Sequence, residues 1–180
     1  MPRIFIEGNR RATVESDEYQ AAEKIGFELS RKGFVIVSSA GKGISEAAFA
    51  GAIRGSDNSK RVAIDCSEIN LPRNSKFTDV VIANNYFDMK MKNCINSDGF
   101  IFFSGGFEVL TNLSIILQLK ELELMGEKPV ICIGDQLEET LESCGFYNED
   151  VVDSFAQIFF VPDADEAIKK ALDFFCSRNG

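Results

Sequence analysis

The chain has 180 residues, of which 45% are hydrophobic and 26% charged, and its formal net charge is −9. A chain of this length buries roughly 70% of its unfolded surface, so a single domain over residues 1–180 is expected to hold without disulfides or metals. The acidic surface repels polyanions, which excludes non-specific nucleic-acid binding; a small phosphorylated ligand is still admissible where a local nest of backbone N–H groups outweighs the overall field.

Short apolar runs alternate with amphipathic stretches along the chain. Ile4-Phe-Ile6 reads as a strand. From about Asp17 to Lys32, Ala21, Ala22, Ile25 and Leu29 recur at helical spacing, and Gly33 is placed to stop that helix. Phe34-Val-Ile-Val37 is a second strand and Ile44 to Ile53 an alanine-rich helix. Val62-Ala-Ile64 follows as a strand, and Asp65 to Lys76, with Pro72 and no clear period, reads as a loop. Val80-Val-Ile82 is a strand and Phe87 to Asn96 a helix; Phe100 to Phe103 is a strand and Phe107 to Met125 a long helix. Val130-Ile-Cys-Ile133 is the sixth strand, followed by a weaker helix near Leu137 to Ser143. Gln157 to Val161 is a short strand, and Asp163 is the N-cap of a C-terminal helix.

Nearly continuous apolar strands alternating with helices mean a parallel sheet covered on both faces. The expected fold is α/β, a three-layer Rossmann-like arrangement with a mostly parallel sheet of six to seven strands. In such sheets the ligand crevice lies outside the carboxyl ends of the strands, at the switch point. Glycine stands at three of those ends: Gly8-Asn9, Gly41-Lys42-Gly43 and Ser104-Gly105-Gly106. The last two have the order strand, glycine turn, helix start, in which freed backbone N–H groups and the helix dipole cradle a phosphate. The candidate ligand-binding residues are therefore Gly8, Asn9, Ser38, Ser39, Gly41, Lys42, Gly43, Ile44, Ser104, Gly105, Gly106, Phe107, Glu108 and Val109. Lys90 joins them as a lysine that would face a phosphate from the helix before the fifth strand; Lys92, two residues on, does not share its face. Glu108, in a first helical turn, complements the macrodipole or reaches a ribose or base. The aromatics Phe87, Phe100, Phe102, Phe103, Phe155, Phe159 and Phe160 read as core, with Phe107 the one placed to meet a ligand.

There is no histidine, and the five cysteines, Cys66, Cys94, Cys132, Cys144 and Cys176, have no C-x-x-C spacing. The commonest general base and any Ser-His or Cys-His nucleophile pair are thereby removed, and a zinc site would need thiolates or carboxylates alone. Neither a metal nor a cofactor is expected. Cys66 and Cys132 lie in or beside strand-like runs and read as small core residues. Met1-Pro2-Arg3 leads straight into a strand and no apolar run approaches the ~20 residues of a membrane span, so a cytoplasmic protein off the membrane is expected.

Two segments carry a family resemblance. Val37-Ser-Ser-Ala-Gly-Lys-Gly-Ile-Ser-Glu-Ala-Ala48 resembles the glycine loop of the LOG proteins and the S-G-x-x-x-G-I-D-x-A-A loop of the SLOG nucleotide-sensor domains and of the DNA-processing protein DprA. Asp98-Gly-Phe-Ile-Phe-Phe-Ser-Gly-Gly-Phe107 resembles the A-D-x-x-I-x-L-P-G-G-x element of LOG proteins, which are cytokinin-activating phosphoribohydrolases often labelled lysine decarboxylases. The resemblance runs from about Arg3 to Gly134. It implies a Rossmann-like fold, a nucleotide-type ligand and a homodimer joined through the helix at 107–125. That helix carries Val109, Leu110, Leu113, Ile115, Ile116, Leu117, Leu119, Leu122 and Leu124, more apolar surface than one face needs.

The departures fall on catalysis. Where LOG proteins read P-G-G-x-G-T-x-x-E, this chain has Ser104, Gly105, Gly106, Phe107, Glu108, Val109 and, at the glutamate, Asn112. The upstream Arg-Lys pair becomes Met89-Lys90. Cleavage of an N-glycosidic bond needs a carboxylate to offset oxocarbenium-like charge or activate water. The implied function is thus nucleotide binding or sensing with a degenerate catalytic motif. A divergent nucleoside 5′-monophosphate phosphoribohydrolase using Glu108 is the alternative. A molybdenum-cofactor carrier, a role described for some small LOG-like proteins, is the third. Pyridoxal-dependent decarboxylation is disfavoured, with no histidine to stack on the ring and no recognisable lysine site.

Overall fold

The computed structural model describes residues 1–143 and 158–177. The apolar runs become strands β1 (Arg3–Glu7), β2 (Val35–Ser39), β3 (Arg61–Cys66), β4 (Asp79–Ala83), β5 (Gly99–Phe102), β6 (Val130–Ile133) and β7 (Ile158–Val161). Between them lie α1 (Asp17–Arg31), α2 (Ile44–Gly55), α3 (Tyr86–Ile95), α4 (Phe107–Glu121), α5 (Asp135–Ser143) and, after β7, α6 (Ala164–Cys176). All strand pairs are parallel, in the order β4-β3-β2-β1-β5-β6-β7. The expected α/β, three-layer Rossmann-like fold is the one observed, with seven strands.

Alternate strand residues face opposite layers. Ile4, Ile6, Ile36 and Ile101 pack with α1, α2 and α6 through Ile25, Leu29, Ala47 and Ala167. Phe5, Val37, Phe100 and Phe102 pack with α3, α4 and α5 through Met89, Leu113, Ile116 and Leu137. The α1–α2 contact is close because α2 offers small residues: a methyl at Gly51 would fall on the carbonyl oxygen of Glu23. The caps match their sequence signals. Gly33 takes φ 81 just past α1, and the Asp163 carboxylate accepts from the N–H groups of Asp165 and Glu166 at 2.9 and 3.0 Å.

Three expectations shift. α4 ends at Glu121, short of Met125. Glu123 adopts φ 55, and the N–H groups of Leu124 and Met125 both return to the Leu119 carbonyl, an αL-type termination that the apolar Leu122, Leu124 and Met125 conceal in the sequence. The apolar circumference of α4 is also largely used inside the chain: Val109, Leu113, Ile116 and Leu117 are buried, and Leu110, Ile115 and Leu119 pack against the same core. Phe87, expected in the core, is 79% exposed on α3. The expectations for Phe155, Cys144 and Gln157 fall outside the described residues.

Among the described residues no helix is long and apolar enough to cross a membrane, and no cluster of His, Cys, Asp and Glu is arranged to hold a metal ion. Cys66, Cys94 and Cys132 are buried free thiols, and Cys176 is an exposed one. Burial pushes the Cys94 thiol up to about 12 and the Cys132 thiol upward as well, so both are inert core groups.

Candidate functional site

The direction of strand addition reverses at β1, which pairs with β2 on one side and β5 on the other. A crevice is expected outside the carboxyl ends of these strands. Backbone bonds draw the loops there together. The Asn9 carbonyl accepts from the N–H of Ile44 at 3.2 Å, joining the loop after β1 to the start of α2. Gly43 caps α2 at φ 66, and the Asn9 oxygen lies where a side chain at 43 would begin. Only glycine suits that position on both grounds. The Phe103 N–H donates to the Glu7 carbonyl at 2.9 Å, tying the end of β5 to β1. A third segment, the loop after β3, folds over these ends. Asn74, 4% exposed, donates its backbone N–H to the Ala40 carbonyl at 2.9 Å and its amide to the carbonyls of Ala40 and Gly41.

The result is a two-lobed cleft. One lobe, of about 440 Å³, runs from Ser39, Gly41 and Lys42 to Leu71 and Arg73. The other, of about 530 Å³, runs from Gly8 and Asn9 to Tyr86, Gly106 and Phe107. Arg10, Arg11, Ile69, Leu71 and Glu108 line both. The combined space suits a ligand of dinucleotide size or smaller. Its cations differ in commitment. Arg73 is bound to Asp65 at 2.6 Å and to the carbonyls of Cys66 and Ile69. Lys42 pairs with Glu46 at 3.5 Å. Arg10 and Arg11 are exposed on the loop after β1, and their guanidinium groups have no ion pair among the described residues.

Beneath the second lobe is a buried polar cluster. Glu7, Lys90, Asn93 and Asn112 are each no more than 2% exposed. The Asn112 amide donates to Glu7 Oε2, and Asn93 donates to Asn112 Oδ1 at 3.4 Å. Lys90 Nζ stands 3.8 Å from Glu7 Oε1 and 3.5 Å from Glu108 Oε1, over the Tyr86 ring at 5.3 Å. Glu7 Oε1 accepts no hydrogen bond. Burial raises the Glu7 carboxyl to about 7, with the Lys90 ammonium pulling it down and the Glu108 carboxylate pushing it up. A cation held between two carboxylates in this way ties β1, α3 and the first turn of α4 into one unit.

The candidate residues separate into cleft and floor. Gly8, Asn9, Ser39, Gly41, Lys42, Gly106, Phe107 and Glu108 line one lobe or the other. Ser38 is fully buried, its hydroxyl donating to the Ile6 carbonyl. Gly43, Ile44 and Val109 are buried beneath the turns, and Ser104 and Gly105 stand beside the cleft without lining it. Lys90 lies under the floor, so its ammonium reaches Glu108 and not the open space above. Sequence reading missed Glu7, Arg10, Arg11 and Asn74. Two signals were available: a charge closing an apolar strand just before glycine, and adjacent arginines after that glycine in an acidic chain. Met89 lines the first lobe as an apolar side chain.

No protein-family model and no curated protein matches this chain. Solved structures do. The molybdenum cofactor binding protein of the phototrophic bacterium Rippkaea orientalis superposes with a TM-score of 0.74 at 18% identity, over 97% of each chain. The molybdenum cofactor carrier protein of Chlamydomonas reinhardtii superposes with a TM-score of 0.71 at 14% identity, over 97% of this chain and 98% of its own. At such identities the likeness shows a shared fold over the whole length.

Proposed function

We propose that this chain binds and carries a phosphorylated, flat heterocyclic ligand, and that the ligand is a pterin of the molybdenum-cofactor kind. The observation that carries this reading is the composition of the cleft. Apolar Ile69 and Leu71 line both lobes together with Arg10 and Arg11, which make no ion pair among the described residues, while the arginine–carboxylate pair in the first lobe, Arg73 and Asp65, is closed on itself at 2.6 Å. The group positions of the hydrolase motif are filled otherwise: Met89 is apolar, Asn112 is neutral, and the neighbouring carboxylate of Glu7 is sealed beneath the floor. Of the carboxylates lining the cleft, Glu108 is open but stands four residues before Asn112, so the site supports binding and orientation without a carboxylate at the hydrolase position. Two structural neighbours, a molybdenum cofactor binding protein and a molybdenum cofactor carrier protein, favour this cargo by analogy of fold.

Nucleotide binding is the second reading, supported by the glycine turns at Gly41–Gly43 and Ser104–Gly106, which resemble those of the nucleotide-sensing and LOG families. One experiment separates the readings. The protein is incubated with molybdenum cofactor released from a molybdoenzyme, passed over a desalting column, and assayed for molybdenum and pterin fluorescence. Near-stoichiometric retention is expected. Retention of AMP, ADP-ribose or NAD in its place would shift the assignment to nucleotide binding, and release of free adenine from AMP would overturn the carrier reading in favour of a hydrolase.

The reading includes self-association. Phe87, Met91 and Ile95 stand at i, i+4 and i+8 on α3 and are all exposed, as is Phe107 at the start of α4. A contiguous apolar stripe of this kind is what a partner surface requires.

A further inference from the structure

We infer that the cleft divides the reading of its ligand between two kinds of side chain: Arg10 and Arg11 take the anionic group, and the Glu108 carboxylate takes a paired N–H edge of the 2-amino-4-oxopyrimidine kind, which pterins and guanine share and adenine lacks. The inference rests on the reading of the cleft as a site for a phosphorylated heterocycle.

Two carboxylates line the cleft, and only one is available. Asp65 uses both oxygens: Oδ1 accepts from the Cys66 N–H at 2.8 Å, and Oδ2 pairs with Arg73 at 2.6 Å. Glu108 has one oxygen, Oε1, 3.5 Å from the buried Lys90 ammonium, and its side chain is 34% exposed where it lines both lobes. Its Oε2 accepts no hydrogen bond among the described residues. The carboxylate is thus fixed from behind by a cation that solvent does not reach and is open in front.

Glu108 also redirects the phosphate. The α4 N-terminus presents N–H groups that would attract an anion, but the Glu108 carboxylate already occupies its first turn. A phosphate placed there would face like charge at close range. Arg10 and Arg11, which line the same lobes without ion-pair partners among the described residues, offer the alternative, with charge-assisted hydrogen bonds of matching fork geometry. What suits the Glu108 carboxylate is a donor. A 2-amino-4-oxopyrimidine ring presents its ring N–H and its exocyclic amine side by side, and a carboxylate accepts both. Adenine presents one amine donor beside a ring-nitrogen acceptor, whose lone pair would face the carboxylate and count against binding.

Calorimetric titration with GMP, AMP and 6-hydroxymethylpterin monophosphate tests this, since all three carry a phosphate. GMP and the pterin are each expected to bind at least ~10-fold more tightly than AMP, the discrimination a good bidentate pair supplies; whichever of the two binds more tightly names the source of the edge. Glu108→Gln, checked for unchanged melting, is expected to reduce that preference below ~3-fold, with AMP affinity held or raised. Glu108→Ala serves as the second variant with the same expectation. Equal binding of all three ligands by the wild type, or a preference that survives both substitutions, would overturn the role of Glu108 and leave the carrier reading standing. Failure of all three to bind would overturn the phosphorylated-heterocycle reading itself.

Discussion

The amide of Asn112, on α4, donates to the carboxylate of Glu7, at the end of β1, and both side chains are buried. The pair gives the departure at position 112 a physical reason. A glutamate there would bring a second carboxylate against Glu7 inside the fold, with Lys90 the nearest cation to share. Two like charges that close cannot both stay ionised without large cost. A carboxylate at this position on α4 is therefore costly beside this β1, and the neutral amide supplies the donor that Glu7 accepts.

Asn112→Asp is accordingly expected to destabilise the fold by about 2–4 kcal/mol at pH 8, because it removes a buried donor and adds a buried charge. The cost shrinks at pH 5, where the two carboxyls share a proton. Urea unfolding at the two pH values measures it, and a loss under ~1 kcal/mol at pH 8 would refute the account.

Glu7 sets a pH dependence with a definite sign. Its folded value lies near 7, above the ordinary 4.5, chiefly through burial. Between those values the folded state binds a proton that the unfolded state has released, so this contribution to stability is full below pH 4.5 and falls as pH rises toward 7. At about 1.4 kcal/mol per unit, up to about 3 kcal/mol is lost across the window, and nothing further above it. Glu7→Gln removes the titration and keeps the shape. The wild type is expected to lose stability relative to the variant from pH 4.5 to 7.5, and parallel profiles would show that Glu7 titrates normally.

The sequence made the layers legible and left the site half read. Apolar runs such as Phe34–Val37 and Val130–Ile133 fix parallel strands because both faces are covered, and the glycine turns mark strand ends by their need for special backbone. The positions of Glu7 and Lys90 were not readable in this way. A strand's alternation does not say which face lies under the cleft, and Lys90 points inward only because α3 packs against β3, β4 and α4. Glu123 in an αL conformation likewise stops α4 where the apolar Leu122 and Leu124 would continue it.

Arg10 and Arg11 are exposed and make no ion pair among the described residues, so Arg10→Ala and Arg11→Ala are expected to change stability by less than ~0.5 kcal/mol. Binding of 6-hydroxymethylpterin monophosphate is expected to fall ~10-fold for each, with a larger loss at low than at high salt. Lys42→Ala serves as comparison: its ammonium is held by Glu46 at 3.5 Å, so a smaller effect is expected. A binding loss confined to Lys42→Ala would place the phosphate at the α2 loop and away from the arginines.

Two exposed rings, Phe107 and Phe87, stand at the second lobe or beside a residue that lines it. Phe107 lines the second lobe yet is 88% exposed, and Phe87, in ring contact with Tyr86 at 6.0 Å, is 79% exposed. Tyr86 lines that lobe as well. A second copy seated on α3 and the start of α4 would bury these rings and roof the cleft at once, each large side chain contributing about 1.5–3 kcal/mol. Light scattering at micromolar concentration is expected to give the mass of two chains for the wild type. The double variant Phe87→Glu, Ile95→Lys is expected to give the mass of one, since charge at the centre of an apolar contact is left without a partner. Because the roof is lost with the partner, the same variant is expected to bind 6-hydroxymethylpterin monophosphate several-fold more weakly although neither substituted residue lines the cleft. A monomeric wild type would remove the interface, and a monomeric variant with unchanged ligand affinity would show that the two surfaces are adjacent but uncoupled.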